Sequence, residues 1–184
     1  MTQVTIPEKA TNSLNGESYT VTAIADKAFR NTRFNGEITS ITLPDSLKEI
    51  GDFAFFSCFK LEDINLPDGL TKIGYQAFQN CYSLTEITIP SSVTTMGSHV
   101  FNRCTGLKEV TFEKNSQLSA LPDATFANCI SLESFTLPNG FASIGKNAFY
   151  KCGKLTTLNI SDDVTEIKKD AFIDFAKFNT INYD

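Results

Sequence analysis

The sequence predicts a β-rich solenoid, in which short coils made from one repeated unit stack on each other and share a core. Two repeated residues support this prediction. A phenylalanine recurs with steps of 23 to 26 residues, at Phe29, Phe55, Phe78, Phe101, Phe126, Phe149 and Phe172. In five units a cysteine follows three positions later, at Cys58, Cys81, Cys104, Cys129 and Cys152. A unit of this length cannot enclose its own apolar residues, so stacking is the only way to bury them.

Each unit is predicted to contain one strand, which is marked by apolar residues that alternate with polar ones. In the segment LEDINLP, Ile64 and Leu66 are apolar, whereas Asp63 and Asn65 are polar. The same alternation predicts strands at residues 41–43, 64–66, 87–89, 110–112, 135–137 and 158–160, and a last strand that starts at residue 181. Because the units all run in the same direction, these strands are expected to form a parallel sheet.

The remainder of each unit is predicted to return the chain to the start of the next strand. The glycine of the motif IG is expected to adopt a positive φ in a tight turn, at Gly51, Gly74, Gly97 and Gly145. The motif AFxxC that follows predicts one short helical or 3₁₀ turn. We expect the phenylalanines to form the core, with the cysteines beside them as buried free thiols.

We expect one domain, residues 1–184, of about seven coils that differ in regularity. Residues 1–40 are predicted to form an irregular N-terminal coil that carries a hairpin insertion. Residues 41–157 are predicted to form regular coils. Residues 158–184 are predicted to form an atypical C-terminal coil and the start of a further strand.

Two insertions interrupt the repeat. In the first unit Asn15 and Gly16 lie in the segment EKATNSLNGES, and this pair is typical of a hairpin turn. The unit of residues 110–134 is two residues longer than its neighbours, and its strand is not followed by a proline such as Pro44, Pro67, Pro90 or Pro138. The extra length is expected to form an exposed loop at the end of the strand. The candidate loop residues are Glu113, Lys114, Asn115 and Ser116.

The pattern LxxIxLPxxLxxIGxxAFxxC resembles the BspA-type leucine-rich repeat, which occurs in surface proteins of bacteria and some parasitic protozoa. The resemblance covers nearly the whole chain. It implies a right-handed leucine-rich repeat array with a parallel β-sheet on its concave side. It also implies a non-enzymatic scaffold, at the cell surface or secreted, that serves adhesion or binds a protein of the host matrix or of a neighbouring cell. The alternative is a structural spacer of a larger surface protein, with no ligand of its own.

The outward face of the predicted sheet is the candidate binding surface. Its polar side chains form two columns, of which one contains three consecutive acids and the other only Thr and Asn. The candidate residues are Asp63, Asn65, Glu86, Thr88, Glu109, Thr111, Ser134, Thr136, Thr157 and Asn159. Three interpretations stay open at this stage: a solvated sheet with no ligand, an acidic patch for a basic peptide, and a patch for a cation.

Other classes of function are disfavoured by the composition. The chain has 16 Lys and Arg against 21 Asp and Glu, a net charge of -5, and no basic cluster, which argues against nucleic acid as a partner. Its apolar runs are too short to insert into a membrane. We expect a monomer that is exposed at the cell surface or outside the cell, with its signal peptide already removed.

Neither catalysis nor a metal or other cofactor is expected. The cysteines stand one per unit, without the convergent spacing that a metal site needs. The only histidine, His99, occupies a variable position of the unit and is predicted to face solvent, where it has no nucleophile beside it.

Overall fold

The computed structural model describes residues 2–30 and 37–174, and the backbone of residues 180–183. Over these residues the chain forms a parallel β-solenoid of about six turns with almost no helix, and the predicted fold class is confirmed. The parts of the terminal coils at residues 31–36 and 175–179 lie outside the described residues.

One row of strands contains the long strands that the sequence predicts and one additional strand, β1 (Thr2–Thr5), near the N-terminus. They are β1 (Thr2–Thr5), β5 (Ile38–Thr42), β7 (Asp63–Asn65), β9 (Glu86–Ile89), β11 (Glu109–Phe112), β13 (Ser134–Leu137), β15 (Thr157–Ile160) and β17 (Thr180–Tyr183). Pairing in this row is parallel and in register with the repeat, since Val110 pairs with Ile87 and Leu158 with Phe135. The row consists of three hydrogen-bonded sheets, β1-β5-β7, β9-β11 and β13-β15-β17.

A second row of strands, each of two residues, was not predicted from the sequence. It contains β4 (Ala23–Ile24), β6 (Glu49–Ile50), β8 (Lys72–Ile73), β10 (Thr95–Met96), β12 (Ala120–Leu121), β14 (Ser143–Ile144) and β16 (Glu166–Ile167). These strands also pair in parallel, so that Ile50 lies beside Ile73. Two residues are too few to show an alternating pattern, and for this reason the sequence does not reveal the row.

The hairpin predicted in the N-terminal coil is confirmed. Strands β2 (Lys9–Thr11) and β3 (Ser18–Thr20) are antiparallel, and the turn between them includes Gly16 with a φ of 73°. The main-chain N–H of Gly16 donates to the carbonyl of Asn12. Both strands are fully solvent-exposed, so the hairpin is an addition to the solenoid and not a part of its core.

The phenylalanines form the predicted central column of the core. Rings of successive coils are stacked with centroids 5.1 to 5.7 Å apart, from Phe29 to Phe172. The five inner rings are fully buried, whereas Phe29 and Phe172 are partly buried and close the ends of the column. Each inner ring therefore packs against rings of both neighbouring coils, and stacking supplies the burial that a single coil lacks.

The AFxxC segment does not form the predicted helical turn, because its fourth position and the residue just before the segment are left-handed. In one coil Phe53 and Ser57 have φ of 57° and 61°, and equivalent residues of the other coils repeat this geometry. A left-handed residue other than glycine costs about 1–2 kcal/mol. Here the main-chain N–H of Phe53 and that of Ser57 each donate across a 2.8 Å bond to a carbonyl of the next coil. The turns thus form a third row of hydrogen bonds between coils, which offsets the strain.

The prediction of positive φ at the IG glycines is wrong, and a different constraint selects glycine there. None of Gly51, Gly74, Gly97 and Gly145 has a positive φ. At each of them an added Cβ would lie 2.5 Å from an atom of the preceding coil, such as the carbonyl carbon of Gly51 for Gly74. These glycines therefore allow the backbones of successive coils to approach each other.

The five cysteines are free and buried, as predicted. Each Sγ lies 3.1 to 3.3 Å from the carbonyl oxygen of the phenylalanine in the preceding coil and donates to it; Cys104, for example, donates to Phe78. The thiols therefore form a column of bonds between coils. Burial raises the pKa of Cys58 and of Cys152 to about 12, from an ordinary value of 9.0.

The row of short strands is interrupted at the irregular coil of residues 110–134. It splits into β4-β6-β8-β10 and β12-β14-β16, so that β12 does not pair with β10. In the regular coils the main-chain N–H of the IG glycine donates to the preceding coil; that of Gly97, for example, donates to Ile73. Pro122 occupies this position in the irregular coil and has no N–H to donate. The long-strand row is also unpaired at this coil, between β11 and β13.

We predict that Phe78→Ala or Phe101→Ala lowers the free energy of unfolding by about 3–5 kcal/mol, because the cavity lies between two coils that cannot collapse independently. Chemical denaturation measures the change. The exposed substitution Thr88→Ala is the control and should change it by about 0.5 kcal/mol or less. A loss below about 1 kcal/mol for either phenylalanine would contradict its place in the core.

We predict that Gly74→Ala destabilises the protein by at least about 2 kcal/mol, because its Cβ would overlap backbone atoms of the preceding coil. Gly153→Ala is a matched control, since a Cβ there meets no atom within 4 Å and its φ is not positive. Thermal and denaturant unfolding should separate the two variants clearly. Equal stability of both would mean that the contact between coils is not tight at Gly74.

We predict that the buried thiols make the protein less stable at alkaline pH. The pKa of Cys58 is raised in the folded state, so its contribution is complete below pH 9 and is lost as the pH rises towards 12. Between these limits the loss for one thiol is about 1.4 kcal/mol per pH unit. Denaturant unfolding of the wild type and of Cys58→Ala at pH 8 to 11 should give a shallower alkaline decline for the variant; parallel curves would disprove this role.

Candidate binding surface

The candidate binding surface lies on the row of long strands, which we call the long-strand face. Side chains alternate along each strand between core and solvent. In β9 the sequence from Glu86 to Ile89 is exposed, buried, exposed and buried, and the strands on either side follow the same pattern. The structure therefore places these predicted residues together in solvent: Asp63, Asn65, Glu86, Thr88, Glu109, Thr111, Ser134 and Thr136.

The last two predicted residues, Thr157 and Asn159, are half-buried. Their strand β15 has neighbours on both sides and pairs with β17 as well as with β13. The side-chain amide of Asn159 donates to the Thr136 hydroxyl over 3.0 Å. This bond joins two members of the Thr and Asn column, so the C-terminal part of the face is hydrogen-bonded within itself.

The acidic column lies at the centre of the long-strand face. Glu86 and Glu109 are directly paired positions of β9 and β11, and Asp63 occupies the same position of the repeat in β7. No ion pair between described residues includes any of the three. Lys60 precedes Asp63 by only three residues in the sequence, but its amino group contacts Glu37 at 2.7 Å. Three exposed carboxylates therefore lie side by side without a cationic partner in this part of the chain.

Shallow grooves cross the long-strand face where its hydrogen-bonded sheets end. A groove of about 210 Å³ lies over β7, β9 and β11, and Asp63, Glu86 and Glu109 all line it. A wider groove of about 550 Å³ lies between β11 and β13, with Lys108, Thr111 and Pro138 among its lining residues. The acidic column thus lies along the grooves that form where neighbouring sheets are not hydrogen-bonded to each other.

The two extra residues of the irregular coil lie in the predicted loop. Five residues, 113–117, separate the end of β11 from buried Leu118, where a regular coil has three. Lys114 and Asn115 are exposed, and Asn115 has a φ of 61°. Glu113 is half-buried and its carboxylate accepts the main-chain N–H of Ser91.

Hydrogen bonds hold both ends of this loop in place. The Ser116 hydroxyl accepts the main-chain N–H of Leu118, and the main-chain N–H of Gln117 donates to the carbonyl of Ser91. Of the four predicted loop residues, only Lys114 and Asn115 are free to meet a partner, whereas Glu113 and Ser116 shape the loop.

The prediction that His99 faces solvent is wrong. Its ring is half-buried and packs edge-on against Tyr75, with ring centroids 5.7 Å apart. The Nδ1 atom is buried and has no hydrogen-bond partner among the described residues. The repeat misleads here because equivalent positions hold side chains of very different size, and this one packs against the Tyr75 ring of the preceding coil.

Among the described residues, no group of three or more His, Cys, Asp or Glu side chains has an arrangement that could hold a metal ion. Among the same residues, no helix has the length and hydropathy needed to cross a membrane.

Exposed aromatic residues were not anticipated from the sequence. Phe59, Tyr75 and Tyr82 are 37% to 41% exposed, and none of them lies on a long strand. Phe59 and Tyr82 follow Cys58 and Cys81 directly. The detectable signal is that the residue after each cysteine is apolar or aromatic in some units, Phe59, Tyr82 and Ile130, although the repeat does not require an apolar side chain there.

Stacked coils, a solvent-facing parallel sheet and a continuous apolar column define a leucine-rich repeat scaffold. The chain belongs to the family described as BspA type leucine rich repeat region, which matches residues 22–121 and 114–184 in six copies. Members of this family form repeat scaffolds and are not a known class of enzymes.

Solved structures of bacterial proteins share the fold. A leucine rich cell surface protein from Faecalibacterium prausnitzii is 25% identical, with a TM-score of 0.55 over 99% of this chain and 59% of that protein. The pneumococcal vaccine antigen PcpA is 31% identical, with a TM-score of 0.75 over 88% of this chain and 40% of that protein. A leucine rich repeat protein of T. pallidum is 28% identical, with a TM-score of 0.60, and the match covers 83% and 77% of the two chains.

The chain thus spans 59% and 40% of the first two proteins. Comparison with curated proteins gives no match.

We predict that deletion of Lys114 and Asn115 leaves the solenoid folded, because it restores the three-residue connection of the regular coils and retains Glu113. Circular dichroism should be unchanged, and the melting temperature should fall by a few degrees at most, about what 1 kcal/mol produces. A matched deletion of Ser91 and Ser92 from a regular coil should unfold the chain. Unfolding by the first deletion would show that the extra residues support packing.

Proposed function

We propose that this protein is a non-enzymatic scaffold, exposed at the cell surface or secreted, that binds a protein partner in adhesion. The partner belongs to the host matrix or to a neighbouring cell, and the scaffold meets it as a monomer through the long-strand face. Family membership and the cell-surface relative from F. prausnitzii support this setting. The binding surface comprises the predicted polar residues of β7 to β15.

One observation supports binding more than any other: the acidic column is exposed, lines a groove and has no cationic partner among the described residues. Carboxylates on adjacent strands repel each other, which costs stability that a solvated sheet has no need to lose. A partner with a basic, extended segment would relieve this repulsion. It would also gain association rate from the field of the column.

A structural spacer is the second candidate, and the C-terminal part of the face favours it. There the polar column is monotonous, and the Asn159 amide is already bonded to Thr136. In a spacer the acids would contribute only to solubility, and the face would bind no partner.

We predict that a peptide of four Lys-Thr repeats binds the wild-type protein, and that the triple variant Asp63→Asn, Glu86→Gln, Glu109→Gln loses about tenfold in affinity. Each exposed ion pair contributes about 0.2–1 kcal/mol, so three together account for this loss. Isothermal titration calorimetry at 50 mM and 200 mM salt measures the affinity, which should weaken as salt screens the charges.

The matched control neutralises three exposed acids away from the column, Asp68→Asn, Asp162→Asn and Glu166→Gln, and so changes the net charge equally. Retained binding by this control places the interaction on the long-strand face. Equal weakening of both triple variants, or no binding by the wild type, would reject the basic-partner proposal and leave the spacer.

A further inference from the structure

A second exposed feature lies on the turns that follow the cysteines, away from the long strands. The residue after each cysteine forms a column that crosses successive coils: Phe59, Tyr82, Thr105, Ile130 and Gly153. The rings of Phe59 and Tyr82 are stacked with centroids 5.0 Å apart and planes within 14°. At Thr105 the aromatic stack stops, since this side chain is too short to continue it.

The interruption leaves a slot above Thr105. Tyr82 and Ile130 stand one coil away on either side, about 10 Å apart if each coil adds about 4.8 Å. One face of the Tyr82 ring is covered by Phe59, so its other face borders the slot. The groove has a volume of about 390 Å³ and is lined by Tyr82, Arg103, Thr105, Asn128 and Ile130. Its width fits one planar ring as a third member of the stack.

The walls of this slot are apolar and exposed. Tyr82 is 41% and Ile130 49% exposed, although burial of such side chains would stabilise the protein. Tyr and Arg at the edge of a pocket are typical of residues that dominate binding energy in protein interfaces. An inserted ring would cover Ile130 and complete the stack with Tyr82.

The charge at the slot is positive. Arg103 is exposed, and no carboxylate of the described residues lies within ion-pair distance of it. This distinguishes the slot from the long-strand face, where the exposed charges without a partner are Asp63, Glu86 and Glu109. Guanidinium groups prefer carboxylates and also stack on aromatic rings.

We propose that the slot between Tyr82 and Ile130 is a docking site for a peptide segment of a partner protein that has an aromatic residue next to an acidic one. The aromatic ring lies over Thr105 between the two walls, and the neighbouring carboxylate pairs with Arg103. The side-chain amide of Asn128 already donates to Asn102 over 3.2 Å, so its carbonyl oxygen is the group that would accept an N–H of the peptide backbone. This site goes beyond the proposed function, because it takes a partner of opposite charge on a different surface.

The experiment uses the peptide Ser-Asp-Trp-Asp-Ser, acetylated and amidated, as the probe. The protein contains no tryptophan, so tryptophan emission reports on the peptide alone. Binding should shift the emission to shorter wavelength and saturate as the protein is added. Two control peptides, with Lys in place of Asp and with Leu in place of Trp, test the charge and the ring separately. The Leu peptide has no tryptophan, so its affinity is measured by its competition with the Trp probe for the protein. This affinity should be at least about tenfold lower than that of the probe.

The decisive variant is Thr105→Phe, which fills the slot with a ring of the protein's own. Phe59 and Tyr82 occupy this position in other coils, so the fold accepts an aromatic side chain there. Affinity for the probe should fall at least tenfold, while the melting temperature does not decrease. The control Thr88→Phe adds the same ring to the long-strand face and should leave the affinity unchanged. Arg103→Gln should weaken binding by about two- to fivefold.

Retained binding by Thr105→Phe, or equal binding of the Lys peptide, would overturn the proposal. If the unliganded protein self-associates in sedimentation experiments and Thr105→Phe abolishes this, the occupant is a second copy of the chain and the peptide proposal is wrong. The triple variant of the acidic column serves as a further check. It should bind the acidic probe unchanged, so failure of one site is distinguishable from failure of the other.

Discussion

The close approach of successive coils is the constraint on which the rest of the structure depends. Gly51, Gly74, Gly97 and Gly145 let one backbone lie directly on the preceding one, where no Cβ fits. Only at this spacing do the phenylalanine rings stack at 5.1 to 5.7 Å and the thiols reach the carbonyls of the coil before. Two rows of strands and one row of turns then use the same spacing for hydrogen bonds. The fold is thus one interface repeated along an axis.

This repetition explains how much of the fold follows from sequence. The phenylalanine and cysteine positions recur in every regular coil, so stacking, strand direction and the core can be predicted from spacing alone. The left-handed residues cannot, because Phe53, Gln76, Ala124 and Asn147 share a backbone geometry but no side-chain character. Their φ values are imposed by bonds to the next coil. The reason for the glycines could not be predicted either. A close approach between coils and a turn with positive φ both select glycine, so the sequence alone does not distinguish them.

The surface is predictable only in part, for a related reason. Alternation along a strand decides which side chains face solvent, and it placed Asp63, Glu86 and Glu109 correctly. It cannot show which exposed groups have partners. Lys60 turns to Glu37, and the Glu113 carboxylate turns to Ser91, because these contacts arise between coils and are not encoded in any single unit. For the same reason the stacking of Phe59 on Tyr82 is seen only in the structure, where their two coils lie next to each other.

Pro122 has a mechanical consequence. Force applied along a solenoid is shared at each junction between coils by all the rows of hydrogen bonds that cross it. At the junction between β10–β11 and β12–β13 neither row of strands is paired. The load therefore falls on the bonds of the turns, such as those from the N–H of His99 and of Phe101 to Asp123 and Thr125, and on the bonds of the loop after β11, such as that from Gln117 to Ser91. Under tension the chain should part there first and yield two shorter rods. Each rod would keep its own stacked rings.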